Sequence, residues 1–181
     1  IVHFYSALSG EKLHEENTFA QLQWQQSSND GRWRVRIQGK WNWFATHYRD
    51  ELAVGNVHDA DYNQREAYIS GAVSYQPISQ FFVGYAADYF FNNLSSSLST
   101  DVRPYRNSLL QSLSVKYITS RFIAISRLLL SVYDNGACRG IAGRDAQRLS
   151  PSLSFSWKVF PIEQLYLRAA YKNIFRMPTF N

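Results

Sequence analysis

Trp33-Arg34-Val35-Arg36-Ile37-Gln38-Gly39-Lys40-Trp41-Asn42-Trp43 alternates without a break: every odd position is apolar or glycine and every even one is polar or charged. Side chains of an extended chain point alternately to opposite faces, so this period of two specifies a strand with one greasy and one wet side. About 11 residues rise roughly 36 Å, and a tilt of about 45° brings that to roughly 25 Å, the height of the apolar band of an outer-membrane barrel. Strands of ordinary globular sheets run to about five or six residues.

The pattern recurs on both sides of this stretch. Leu149, Pro151, Leu153, Phe155, Trp157 and Val159 alternate with Ser150, Ser152, Ser154, Ser156 and Lys158. Phe81, Val83, Tyr85, Ala87, Tyr89 and Phe91 form a third stripe, and Ala67, Ile69, Gly71, Val73 and Tyr75 a fourth. Weaker versions run from Leu109 to Tyr117 and from Leu165 to Tyr171, while Phe122 to Val132 carries apolar groups on both faces through Ile123, Ile125 and Leu129. The connections alternate in length. Short turns are expected at 27–31, 77–80, 119–121 and 161–164, and polar loops rich in Asn, Asp, Ser, Gly and Arg at 46–63, 92–106 and 134–145. Tight turns at one end and long loops at the other are the hairpin rhythm of outer-membrane barrels. The reading is all-β, with antiparallel strands at about 16–26, 32–45, 64–76, 80–92, 107–118, 122–133, 146–160 and 164–174, forming a transmembrane barrel segment. A soluble sandwich or lipocalin-like barrel binding a small apolar ligand is the competing reading, and it would hide its apolar stripe inside.

Composition fits a chain that covers large surfaces. Of the 181 residues 45% are hydrophobic, 16% aromatic and 18% charged, with 19 Lys+Arg against 14 Asp+Glu for a net charge of +5. Low charge and many aromatics exclude a disordered tail, a collagen-like fibre and a coiled coil. A single cysteine, Cys138, excludes a disulfide framework and a thiolate zinc site. The opening Ile1-Val2-His3 lacks a basic region followed by an apolar stretch, so no signal peptide is expected. Ala67 to Ala87 is uncharged over a full membrane-helix length of about 20 residues, but Gln76-Pro77-Ile78-Ser79-Gln80 at its centre reads as a turn.

Little points to catalysis. The carboxylates Glu15-Glu16, Asp50-Glu51 and Asp59 with Asp61 fall in expected loops, where solvation explains them. The histidines His3, His14, His47 and His58 are typical metal ligands but show no close ligand spacing, and they read as loop residues. There is no Gly-x-Ser-x-Gly elbow and no glycine-rich phosphate loop. Arg32, Arg34, Arg36 and Lys40 interleaved with Trp33, Trp41 and Trp43 invite comparison with a nucleic-acid platform. Strict alternation separates cations from rings, whereas such a platform needs both on one face.

The C-terminal stretch Leu167-Arg168-Ala169-Ala170-Tyr171-Lys172-Asn173-Ile174-Phe175-Arg176-Met177-Pro178-Thr179-Phe180 resembles the barrel motif of TonB-dependent receptors, an Arg-x-Ser/Ala strand followed by Phe-Arg-x-Pro-Thr/Ser and an aromatic or aliphatic residue. Asp145-Ala146-Gln147-Arg148-Leu149-Ser150-Pro151-Ser152-Leu153-Ser154 with Trp157-Lys158 resembles the strand that precedes it. The style is most similar to receptors of the Bacteroides group. The resemblance implies a bacterial outer-membrane barrel of about 22 strands with a plugged lumen, importing iron chelates, haem, cobalamin or glycans with energy from the TonB complex. The motif residues it singles out are Phe175, Arg176, Pro178, Thr179 and Phe180. Residues 1–181 contain neither plug nor TonB box, which makes them an internal piece of the barrel wall.

On that reading Arg32, Arg34, Arg36, Lys40, Arg168 and Lys172 face the lumen. Trp33, Val35, Ile37, Trp41, Trp43, Leu153, Phe155 and Trp157 face lipid, and Tyr75 and Phe81 join Trp43 and Trp157 in interfacial girdles. The expected partners are outer-membrane lipid, the plug, the remaining strands, the TonB complex and a transported ligand that the sequence does not identify. No nucleic acid, metal, catalytic residue or cofactor is expected. A passive porin or small structural barrel is the nearest alternative.

Overall fold

The computed structural model describes residues 11–51, 57–98, 103–138, 144–160 and 165–175. Among them the chain is all-β, eight strands in one antiparallel sheet: β1 Lys12–Ser27, β2 Trp33–Glu51, β3 Val57–Ile78, β4 Phe81–Ser96, β5 Arg103–Ile118, β6 Phe122–Cys138, β7 Ala146–Lys158 and β8 Tyr166–Lys172. Spatial order equals chain order, and contacts between elements run only between strands adjacent in sequence. The sheet is not closed, so β1 and β8 are edges. No helix among the described residues is long and apolar enough to cross a membrane.

Register fixes the two faces. One row of opposed residues crosses the sheet as Ser27, Arg34, Ser74, Gly84, Ser114, Arg127, Ser152 and Lys172, all on the polar face. The neighbouring row on the other face reads Gln26, Val35, Val73, Tyr85, Leu113, Leu128 and Pro151. The polar row starts at the turn end of β1 but lies six residues from the turn end of β7 and of β8. Six residues correspond to about 20 Å of rise across seven strand spacings totalling about 34 Å, a slant of about 30°.

Burial is one-sided and inverted relative to a soluble sheet. The buried polar residues Ser70, Ser108, Ser131, Asn135 and Ser150 all lie on the polar face, and Ala60, on that same face, is the only buried hydrophobic among the described residues. Leu22, Ile37, Ile69, Leu113, Leu149 and Leu153, on the opposite face, are about half exposed or more. Among the described residues no second layer covers either side, and Arg34 and Arg36 of β2 line one cavity with Arg127 of β6, which requires the sheet to curl toward its polar side. The polar face is therefore the concave one. All five tryptophans, Trp24, Trp33, Trp41, Trp43 and Trp157, sit on the convex apolar face. Rings mark both ends of that band: Trp33 stacks on Tyr75 (centroids 4.2 Å apart) and Phe122 on Phe155 (6.4 Å) near the turns, and Trp41, Trp43, Tyr89 and Phe91 lie toward the far end.

The five-residue connection between β1 and β2 shows why the sequence turns where it does. Gly31 N–H donates to Ser28 O (2.9 Å), Arg32 N–H to Asp30 Oδ1 (3.1 Å) and Trp33 N–H to Ser28 Oγ (3.0 Å). Gly31 adopts φ 68°, the left-handed region open to glycine. The Ser28 hydroxyl, donating to Asp30, together with the Arg32 amide holds the Asp30 carboxyl below its usual value.

Among the described residues, the three expected loops are largely strand. Residues 46–51 and 57–63 pair as a ribbon, as do 92–96 with neighbours in β3 and β5, and 103–106 with 135–138. Polar residues fall on both faces of these segments, so they carry no alternation of polarity although their backbones continue the ladder. The middle strand that reads as two-sided is so in the structure. Ile123, Ile125 and Leu129 lie on the polar face, where Ile123 opposes Ile118 and Ile125 opposes Lys116.

Candidate functional site

The concave polar face holds two hollows. Nearer the turns, a cavity of about 360 Å³ is lined by Arg34 and Arg36 of β2, Arg127 of β6 and a floor that includes Ala72, Ser74, Gly84, Ala86, Ser112 and Ser114. Small side chains make the floor. Ser114 Oγ donates to Gly84 O (3.2 Å), and a Cβ at Gly84 would lie 2.8 Å from that hydroxyl oxygen. The arginines reach in from strands four spacings apart, roughly 19 Å on a flat sheet. Lys116, Arg168 and Lys172 share this half of the face. Guanidinium groups cannot lose their charge and present planar donors, which suits carboxylates and phosphates.

Farther from the turns the face becomes mixed in charge. A hollow of about 540 Å³ is lined by Lys40, Asn42, Gln64, Glu66, Tyr68, Phe90, Asn92, Arg106 and others. Glu66 accepts from the amides of Asn42 (3.4 Å), Gln64 (2.8 Å) and Asn92 (3.1 Å). Gln38 donates to Tyr68 Oη (3.0 Å), which donates to Asp88 (3.0 Å), and the Tyr68 and Phe90 rings lie 4.5 Å apart. The network continues at Asn135, whose Oδ1 accepts from Arg106 Nε (2.6 Å) and whose own amide groups reach Asp145 and Arg144 O. Such a surface offers hydrogen-bond donors and acceptors to polar groups.

The residues singled out from the sequence fall as follows. Arg34, Arg36, Lys40, Arg168 and Lys172 are on the polar face, and Arg32 sits in the turn before β2, 3.7 Å from Asp30. Trp33, Val35, Ile37, Trp41, Trp43, Leu153, Phe155 and Trp157 are on the opposite face. Trp24 belongs with them and carries no sequence signal, because Phe19, on the polar face, spoils the alternation of β1. Phe175 lies 6.2 Å from the Tyr133 ring, with the Arg148 guanidinium 5.4 Å from its own ring centroid. Arg176, Pro178, Thr179 and Phe180 lie outside the described residues, as does His3.

The carboxylates and histidines expected in loops are on strands instead. Glu15-Glu16 are in β1, Asp50-Glu51 in β2, Asp59 and Asp61 in β3, His14 in β1 and His47 in β2; His58 also falls within the β3 span. Pairing gathers some of them. His47 Nδ1 lies 2.7 Å from Asp61 Oδ1 and 3.5 Å from Asp59 Oδ1. The hydrogen bond to Asp61, with the charge of Asp59 behind it, raises the His47 pKa above the usual 6.5. His47 lies 12 residues before Asp59 and on a different strand, so the grouping comes from the register of β2 on β3 and not from a close ligand spacing.

No family model matches the chain, and no curated protein matches it. What the fold and its faces define is a class: a single-layer antiparallel meander with its polar side inward and its apolar side exposed.

Proposed function

We propose that the chain is part of the wall of a bacterial outer-membrane receptor of the TonB-dependent type, active in nutrient uptake and not in catalysis. The observation that carries the membrane reading is the inverted burial: the buried serines Ser70, Ser108, Ser131 and Ser150 inside the curve, and the exposed Leu22, Leu113, Leu149 and Leu153 with all five tryptophans outside it. Water offers no reason to leave such a continuous apolar face uncovered. Lipid does, and aromatic rings at both ends of the band suit its two interfaces. The receptor type rests on the resemblance of residues 145–158 and 167–180. On this reading the apolar stripe anchors the wall and the basic and mixed hollows face the lumen. The paired ribbons rise on the outer side, the plug is another part of the same receptor, and the TonB complex is a separate partner acting through the receptor's N-terminal part.

The test of the membrane reading uses the tryptophans as they stand. In vesicles, lipids brominated in their acyl chains should quench most of the fluorescence, and aqueous acrylamide little of it. Strong acrylamide quenching with no effect of bromine would return the chain to the soluble class. Intact mass and N-terminal sequence of the detergent-extracted source protein separate the finer readings. A mass several times 21.0 kDa with a plug at the front supports the receptor, and a mass near that value supports a small barrel.

A further inference from the structure

We propose that His14, His47, Asp59 and Asp61, on the ribbon formed by β1, β2 and β3, bind one divalent transition-metal ion of the zinc type. Register places the groups together. His14 opposes His47, His47 opposes Asp61, and Asp59 lies two residues from Asp61 on the same face. The donor atoms of His47, Asp59 and Asp61 all lie within 4.8 Å of one another. Four ligands tetrahedrally arranged at about 2.0–2.1 Å from zinc are roughly 3.3 Å apart. The observed 2.7 Å and 3.5 Å separations straddle that value, so small side-chain rotations suffice.

His14 supplies the fourth direction. It lines the same hollow of about 240 Å³ as His47 and Asp61, together with Glu16, whose Oε1 lies 3.2 Å from His14 Nε2. Directly opposed residues hold their Cβ atoms about 4.5–5.5 Å apart, within reach of two imidazoles sharing an ion. Two imidazoles with two carboxylates select zinc, nickel or copper over magnesium and calcium, which prefer oxygen alone. The bound ion would tie three adjacent strands at one point. The site lies beyond the aromatic end of the apolar band and does not depend on the membrane reading.

The ion competes with protons, since the His47 nitrogen that faces both aspartates must be free of its proton to coordinate. The charged or titratable groups around it are Glu16, His14 and Lys12 from β1, Arg49 on its own strand, and Asp59 and Asp61 from β3. Calorimetric titration of the full chain in detergent with zinc alone should give one ion per chain, bound at least tenfold more tightly at pH 8 than at pH 6. His47→Ala and Asp61→Asn should each weaken binding at least tenfold. His14→Ala should weaken it, and Cys138→Ser, on β6 away from the cluster, should leave it unchanged. A tenfold excess of magnesium should not compete. Absence of uptake, several ions per chain, equal loss with Cys138→Ser, or indifference to His47→Ala would each overturn the site. Circular dichroism of each variant shows that the sheet is intact before its affinity is interpreted.

Discussion

Gly31 is the residue whose replacement isolates one physical cost. Its φ of 68° lies where a side chain is strained, yet nothing stands within 4 Å of an added Cβ. Gly31→Ala should therefore destabilise the β1–β2 hairpin by about 1 kcal/mol through backbone conformation alone, read as a shift in the urea midpoint with unchanged slope. His47 makes a second prediction at this scale. Its pKa is raised in the folded chain by the Asp61 hydrogen bond first and by Asp59 next, so the ion pair contributes its full stability below pH 6.5 and loses it as pH rises through the folded value. A metal-free NMR titration of the His47 ring should give a midpoint above 6.5, moving down toward it in Asp61→Asn.

At the scale of strands, the two faces make opposite demands on the same substitution. Leu113, 47% exposed on the apolar face, should tolerate arginine at a cost within about 0.5 kcal/mol if water covers it. Against a bilayer the cost near the midplane is about 2–4 kcal/mol. Unfolding of Leu113→Arg from vesicles decides between them. The faces of β2, β4 and β7 are readable in the sequence because an apolar stripe of period two runs through 33–43, 81–91 and 149–159, and the number and order of strands follow from the turn residues between them. The extra length of β2, β3 and β4 was not readable. Thr46 to Glu51 and Val57 to Asn63 have no apolar side to alternate with, and their strand character comes from the partner across the ladder. The same pairing made the His47 cluster invisible, because residues 14, 47 and 61 become neighbours only through two registers. Arg34 and Arg36 were legible as polar-face residues, but their convergence with Arg127 of β6 on one hollow depends on the curl of the sheet.

For the whole molecule, the open sheet sets the behaviour. β1 and β8 are exposed along their whole lengths and, among the described residues, each has one hydrogen-bonded neighbour. Unsatisfied edges pair with whatever strand is offered, and lipid provides no substitute donors or acceptors. In detergent the chain should run as dimers or larger species by light scattering, with a protein mass above 21.0 kDa. A monodisperse monomer would mean that the edges find each other and the eight strands close.

Because each strand contacts only the strands before and after it in the chain, nothing distant has to meet for structure to begin. Loop-closure entropy is paid one short hairpin at a time, which places the chain among sheets that assemble quickly for their content of strand. Formation can start at the Ser28–Arg32 or Thr119–Arg121 connection and spread outward like a zip. Severing the chain in a connection should then leave the remaining hairpins able to form, with cooperativity reaching only as far as the nearest neighbour.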